Sequence, residues 1–243
     1  MSLSERLTAI ANMVTPGLRV ADVGCDHGYL SIYLIKNGVS EHVIAMDIGK
    51  GPLDRAREHV NEAGLTGKIE LRLSDGLEEL KEDEADCVVM AGMGGPLMMD
   101  IMSRGEAICA KIREFILQPQ SEVAMVRHFL EDNGYRIISE DMVLEDDKFY
   151  PMMKVIHGTM DLGSEAYYRY GKILLREENP ILRIFLRRER EMLFKIREEL
   201  LGSERTDKVS ERLKEIAGDI AIADEAIAIS DRFHPVEIER VIK

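Results

Sequence analysis

Up to residue 163 the hydrophobic positions of this chain alternate between two spacings, and beyond it they keep only one. Five short apolar blocks, at residues 20–23, 42–46, 69–73, 86–90 and 115–117, have the length of buried strands. Between them apolar residues recur at helical spacing. One such segment covers residues 3–13, where Ser2 and Glu5 have capping-box spacing, and another starts at Tyr29, Leu30 and Ile32. A third begins near Pro52, runs through Ala56, Val60 and Ala63 and stops at Gly64, and a fourth covers residues 123–130 and stops at Asn133-Gly134. Residues 136–143 and 150–156 read as a closing hairpin joined by Glu145-Asp146-Asp147-Lys148. Strands alternating with helices predict an α/β domain built on a parallel sheet.

From Ser164 onward the strand signals vanish. Leu182, Leu186, Leu193, Ile196 and Leu200 give one helical stripe, interrupted at Glu189. Gly202-Ser203 breaks it, and Val209, Leu213, Ile216, Ile220, Ala223 and Ile227 then form an a/d seam. The two segments are expected to pack as an antiparallel helical hairpin, a short coiled coil, with Pro235 ending the last helix. The predicted domains are therefore 1–163 and 164–243.

The first strand runs into the most informative turn. Asp22, Gly24 and Gly28 form D-x-G-x-x-x-G, with Asp26 inside it. Glycines here let a ligand approach the backbone at the carboxyl end of a strand. The dinucleotide pattern G-x-G-x-x-G is absent, and two carboxylates suit a cationic ligand such as the amino-acid end of S-adenosylmethionine (SAM) rather than a pyrophosphate. The motif resembles the first motif of class I SAM-dependent methyltransferases. The second strand ends in Asp47, roughly 20 residues on, where nucleotide-binding folds place the carboxylate for the ribose hydroxyls. The third ends in Asp75-Gly76, which in the resembling fold meets the adenine ring. Each feature has a plainer reading as a cap or a turn; three acidic strand ends in this order make the signal.

Composition fits an enzyme in a reducing cytoplasm. No run of 18 apolar residues is present, which argues against a membrane protein. Cys25, Cys87 and Cys109 are an odd number without C-x-x-C spacing, which argues against a disulfide framework and a metal site. The net charge of −13 is unevenly spread: residues 1–164 carry 16 basic and 28 acidic residues, and residues 165–243 carry 16 and 17. Arg169, Lys172, Arg176, Arg183, Arg187, Arg188, Arg190, Lys195 and Arg197 crowd into one stretch. Such a stretch serves a phosphate backbone, or forms a solvated face with i,i+4 pairs to Glu189, Glu191, Glu198 and Glu199.

The fourth strand leads into Ala91-Gly92-Met93-Gly94-Gly95-Pro96, a side-chain-poor floor with room for a flat base. The fifth ends in Gln118-Pro119-Gln120, with two amides beside it. The stretches D-V-G-C-D-H-G-Y-L, A-G-M-G-G, L-Q-P-Q and K-F-Y, followed by a helical hairpin, together resemble the bacterial tRNA adenine-22 N1-methyltransferases (the TrmK type), over nearly the whole chain. The family pattern has asparagine at the position of Gln120 and glycine at that of Asp147. The resemblance implies a class I SAM-methyltransferase Rossmann-like domain with a C-terminal hairpin, SAM as methyl donor, and tRNA as substrate and partner. The expected cofactor set is Asp22, Gly24, Asp26, Gly28, Tyr29, Asp47, Ile48, Asp75, Gly76, Ala91, Gly92 and Met93.

Adenine N1 carries an in-plane lone pair, so attack on the methyl carbon needs no prior deprotonation. Alignment and stabilisation of the charge developing on the base are the tasks left to the protein. Asp26 is the first candidate for the electrostatic role, and His27, Gln118 and Gln120 for orienting the base. A histidine beside a glycine turn also serves as a cap. The target must be unpaired or extruded, and Tyr29 or Met93 can pack against it. Other readings are a methyltransferase of a small molecule or protein whose hairpin dimerises, and a non-catalytic RNA- or partner-binding domain. A monomer or weak dimer is expected.

Overall fold

The computed structural model describes residues 3–177 and 179–234. By internal contacts the chain divides into two units, Met1–Asp161 and Leu162–Lys243. The first runs α1 (Glu5–Met13), β1 (Val20–Val23), α2 (Tyr29–Lys36), β2 (Val43–Asp47), α3 (Lys50–Glu62), β3 (Ile69–Leu73) and β4 (Cys87–Met93). It continues with α4 (Gly95–Arg104), α5 (Glu106–Cys109), β5 (Glu114–Pro119), α6 (Val123–Asp132), β6 (Tyr135–Glu145) and β7 (Lys148–His157). The seven strands form one sheet in the order β3-β2-β1-β4-β5-β7-β6. Strands β1 to β5 run parallel, and β7 and β6 close the sheet antiparallel. The order reverses between β1 and β4, which puts a crevice at their carboxyl ends, the ligand position of open α/β sheets.

All four residues of β1 are buried, as a strand covered on both faces requires. Two strands are longer than their apolar runs predict. Ala91, Gly92 and Met93 belong to β4 rather than to a following turn, and Gln118 and Pro119 belong to β5. Ala91 pairs with Gln118 and Met93 with Pro119, so Gly92 is an extra residue, a β-bulge with φ of 85°. The bulge pushes an exposed glycine out of the ladder at the crevice. The β6–β7 turn is Asp146-Asp147, with φ of 48° and 61°, the double left-handed geometry of a type I′ hairpin.

Helix α1 is fastened at both ends. Its cap is Ser4, whose Oγ accepts from Leu7 N at 3.2 Å, rather than Ser2, which lies outside the described residues. Glu5 N donates to Glu145 Oε1 at 2.8 Å. Beyond the other end, Thr15 donates to buried Glu114 from its N–H (2.8 Å) and its hydroxyl (2.6 Å), and Lys154 pairs with the same carboxylate at 3.0 Å. A second buried pair, Arg127 with Glu140 at 2.8 Å, ties α6 to β6.

The second unit holds α7 (Glu165–Tyr170), α8 (Lys172–Arg176), α9 (Pro180–Leu201) and α10 (Asp207–Phe233). Arg183 bonds the carbonyl of His234 and Arg190 bonds Asp224, so α9 and α10 run antiparallel. Leu182, Leu186 and Leu193 face Ile216, Ile220 and Ala223 in the buried seam. The seam then departs from the expected register: Ala226 and Ser230 are buried, and Ile227 is only half-buried. A straight helix drifts about 20° per heptad against a 3.5-residue repeat, which moves the buried stripe by one position here. Ile196, Leu200, Val209 and Leu213 at the open end are likewise half-buried. Pro235 lies outside the described residues. Glu189, which interrupts the stripe, is a partner of Arg169 at 3.2 Å; Arg169 also pairs with Asp219 at 2.7 Å. Much of the basic stretch is therefore spent on pairs across helices rather than at i,i+4. Arg187 and Lys195 are exposed. No helix among the described residues is long and apolar enough to cross a membrane.

Candidate active site

The loop between β1 and α2 takes three left-handed residues, Gly24 (φ 78°), Asp26 (φ 46°) and Gly28 (φ 72°). Gly24 N and Cys25 N both donate to Met46 O, at 2.8 and 2.9 Å, which folds the loop back over β2. Gly24 is exposed, and a Cβ on it would meet the Met93 methyl at 3.3 Å across the crevice. Gly28 is buried for a different reason: a Cβ would meet Ala56 at 3.2 Å, so this glycine lets α2 approach α3. Cys25, Cys87 and Cys109 are buried and unlinked, with their thiols pushed up by burial.

Asp22 is the buried carboxylate of the site. It accepts from Ser31 Oγ at 2.6 Å, and burial raises its pKa from 3.8 to about 6, with nearby Asp47 adding to the rise. It borders a cavity of about 80 Å³ that Gly24, Asp26, His27, Ala91 and Leu7 of α1 also line. A buried carboxyl with one hydroxyl partner, open to a small cavity, fits the ammonium of a methionine moiety.

Asp47 binds the loops together: Oδ2 accepts from Asp26 N at 3.2 Å and Oδ1 from Gly49 N at 2.8 Å. Next to it Ile48 leaves 69% of its surface exposed, an apolar platform at the end of β2. Asp75 follows β3, half-exposed and held by Arg104 at 3.0 Å, and Arg104 also takes Glu78 and Asp100. Gly76 is buried, because a Cβ there would sit 2.8 Å from Ile101. The missing side chain lets Ile101 pack against it beneath the site.

The expected base-facing residues are placed differently from one another. The Asp26 carboxylate is exposed and lies 3.5 Å from both Arg55 Nη2 and His27 Nε2, on the α3 side of the crevice. His27 stacks on Tyr29 (5.5 Å between centroids, 9° between planes), and Tyr29 on His59 (4.7 Å). His59 Nδ1 donates to His27 O at 2.9 Å, while His27 Nδ1 is buried without a partner among the described residues. Gln118 is fully buried and its amide is engaged at both ends: Oε1 accepts from Arg6 at 3.0 Å and Nε2 donates to Pro119 O at 3.3 Å. It is removed from direct contact with a base. Gln120 is exposed beside the bulge, with Nε2 3.8 Å from where a Gly92 Cβ would stand.

Two residues that the sequence reading did not place in the site complete it. Arg6, from α1, reaches the crevice floor: Nη1 is 3.6 Å from the Gly92 Cβ position, and its guanidinium lies 5.4 Å from the centroid of the Tyr150 ring. Tyr150 is the tyrosine of the K-F-Y stretch, a signal in plain view. Arg6 carried none, since a polar position on an amphipathic helix says nothing about what it faces. Among the described residues no group of three or more His, Cys, Asp or Glu is arranged to hold a metal.

A family profile described as "Methyltransferase domain" matches residues 3–153. The chain is 31% identical over 232 residues to the tRNA (adenine(22)-N(1))-methyltransferase of Bacillus subtilis, covering 93% of this chain and 98% of that protein. The crystal structure of the B. subtilis m1A22 tRNA methyltransferase TrmK superposes with a TM-score of 0.84 at 31% identity, covering 93% of this chain and 99% of the other. Streptococcus pneumoniae Sp1610 in complex with S-adenosyl-L-methionine gives 0.84 at 31%, covering 93% and 100%. Mycoplasma capricolum TrmK with S-adenosyl-homocysteine gives 0.82 at 28%, covering 94% and 99%. On this agreement of sequence and fold over nearly its whole length, the chain belongs to the tRNA (adenine(22)-N(1))-methyltransferase family.

Proposed function

We propose that this chain transfers the methyl group of SAM to N1 of adenine 22 in tRNA, with the chemistry in the crevice between β1 and β4. The observation that carries this reading is the set of carboxylates at three neighbouring strand ends, Asp22, Asp47 and Asp75, beside a β4 end stripped of side chains by the Gly92 bulge. Asp22 takes the methionine ammonium, Asp47 the ribose hydroxyls and Asp75 the adenine amine, with Ile48 against the ring. Gly24 and Gly28 shape the loop, and Ala91, Gly92 and Met93 line the floor. Bound SAM supplies an electrophilic methyl carbon on a sulfonium. The protein's own task is to align the base and to stabilise the cation it becomes. Gln120 presents an exposed amide to the base edge, the backbone of residues 91–93 gives a flat floor, and Asp26 with His27 supplies negative and polarisable groups at the rim. Gln118 acts through Arg6, which it holds.

The docking role falls to the helical unit, through Arg187, Lys195 and the exposed flanks of α9. A tRNA substrate supports a cytoplasmic location, and a monomer or weak dimer is the state proposed. The test is transfer of labelled methyl from SAM to purified tRNA, followed by digestion and identification of the nucleoside. 1-Methyladenosine at position 22 is expected; label at another atom, or none, overturns the reading. Asp26→Ala separates two roles for that residue: turnover falling further than cofactor affinity supports the electrostatic role, and loss of SAM binding alone assigns Asp26 to the methionine end.

A further inference from the structure

Apart from the exposed Arg113 and Arg136, the arginines of the first unit are neutralised with one exception. Arg19, Arg55, Arg57, Arg72, Arg104 and Arg127 each sit against one or more carboxylates. Arg6 does not. Its partners are a neutral amide, Gln118 Oε1 at 3.0 Å, and the face of Tyr150. It is half-buried, and no carboxylate among the described residues pairs with it. This happens in a domain whose charge is strongly negative, where acidic partners are plentiful.

Holding a guanidinium partly out of water against neutral partners costs free energy that a carboxylate would have offset. The chain nevertheless invests in the placement. Helix α1 is fixed by Glu145 at its start and by Glu114 and Lys154 beyond its end, and Gln118 is fully buried with its other amide end turned to Pro119 O. One N–H of Arg6 Nη1 is thereby committed to Gln118; the same nitrogen stands 3.6 Å from the Gly92 Cβ position, where a side chain would otherwise fill the space, and the other donors of the planar fork have no hydrogen-bond partner among the described residues. A fixed, uncompensated fork at the floor of a substrate crevice is the geometry of an oxyanion subsite.

We infer that Arg6 is the oxyanion-binding residue of the reaction crevice, receiving an oxyanion that a substrate brings with it. Two substrates carry one: the tRNA, as a backbone phosphate beside the target adenosine, and the methyl donor, as its methionine carboxylate. The inference rests on the methyltransferase reading above. It assigns a binding role to α1, which the sequence motifs leave out of the site.

The experiment uses the full-length protein and two coupling cycles, with Arg6→Gln as the variant and Arg6→Lys as the charge-retaining control. In the first arm, D-arm oligoribonucleotides carry a neutral methylphosphonate in place of the phosphate on either side of the target adenosine. If the phosphate is the ligand, one neutral linkage raises the wild-type KM by about tenfold or more and has no further effect in Arg6→Gln. In the second arm, SAM and decarboxylated SAM are titrated calorimetrically. If the carboxylate is the ligand, decarboxylation weakens wild-type binding by a similar factor and leaves Arg6→Gln unchanged. Arg6→Lys should recover part of the loss in whichever arm responds. Additive effects in both arms overturn the inference, as does Arg6→Gln lowering kcat alone, which would make Arg6 a support for Gln118. A wild-type protein that binds SAM but methylates no adenine N1 overturns the methyltransferase reading instead, and the second arm still reads the subsite.

Discussion

The carboxylate of Asp47 accepts the backbone N–H of Asp26 at 3.2 Å, so the ends of two neighbouring strands share one hydrogen bond at the rim of the crevice. The residue proposed for the ribose also fixes the left-handed turn that carries the rest of the loop. Asp47→Ala should weaken SAM binding by roughly 1.5–3 kcal/mol, the scale of a hydrogen bond to a charged group. Asp47→Asn keeps an acceptor for Asp26 N–H and should lose less. Calorimetry showing unchanged affinity in both variants would remove Asp47 from the cofactor site.

Asp22, proposed to take the methionine ammonium, should give SAM binding a pH dependence. Its carboxyl titrates at about 6 in the folded protein against an ordinary value of 3.8, because burial penalises the charged form. On its own this group therefore makes folding less favourable as pH rises from about 4 through 6, since the unfolded chain ionises first. A cationic ligand binds the ionised form and recovers that loss. The affinity for SAM should fall by about tenfold between pH 7 and pH 5, and the thermal shift produced by SAM should shrink with it. Asp22→Asn should flatten the profile. A wild-type affinity that holds level across this window would place the ammonium elsewhere.

On α9 the cations Arg187 and Lys195 are exposed, whereas Arg190 and Arg197, and Arg169 of α7, have acidic partners. Reversing Arg187 and Lys195 to Glu should raise KM for tRNA several-fold, lower the salt slope of tRNA binding by about two, and leave SAM affinity unchanged. Unaltered tRNA kinetics would assign α9 to another partner or to self-association.

The hairpin turn offers a test of stability alone. Asp147 holds a φ of 61° in a two-residue turn whose geometry glycine adopts without strain. Asp147→Gly should stabilise the protein by about 0.5 kcal/mol in urea titration, with activity unchanged. Destabilisation would mean that the contacts of the aspartate outweigh its backbone strain.

What the sequence by itself determined is local. Gly24, Asp26 and Gly28 can be read as a ligand loop because the turn needs those backbone conformations, and Asp47 and Asp75 can be placed because parallel strands align their carboxyl ends. The helical unit was legible in the spacing of Leu182, Leu186 and Leu193, since period alone defines a stripe. Tertiary structure decided which of those side chains face outward. Gln118 and Gln120 look equivalent in sequence, yet β5 extends far enough to bury the first and expose the second. Gly76 stands out in sequence only by following Asp75, and the fold adds a packing reason for it, because Ile101 lies where its Cβ would be. Arg6 became part of the site through α1 lying against the sheet 112 residues upstream of Gln118, a distance over which no local pattern carries information. Spacing along a chain reports which face a residue takes within its own element; what that face meets is set by packing between elements far apart in sequence.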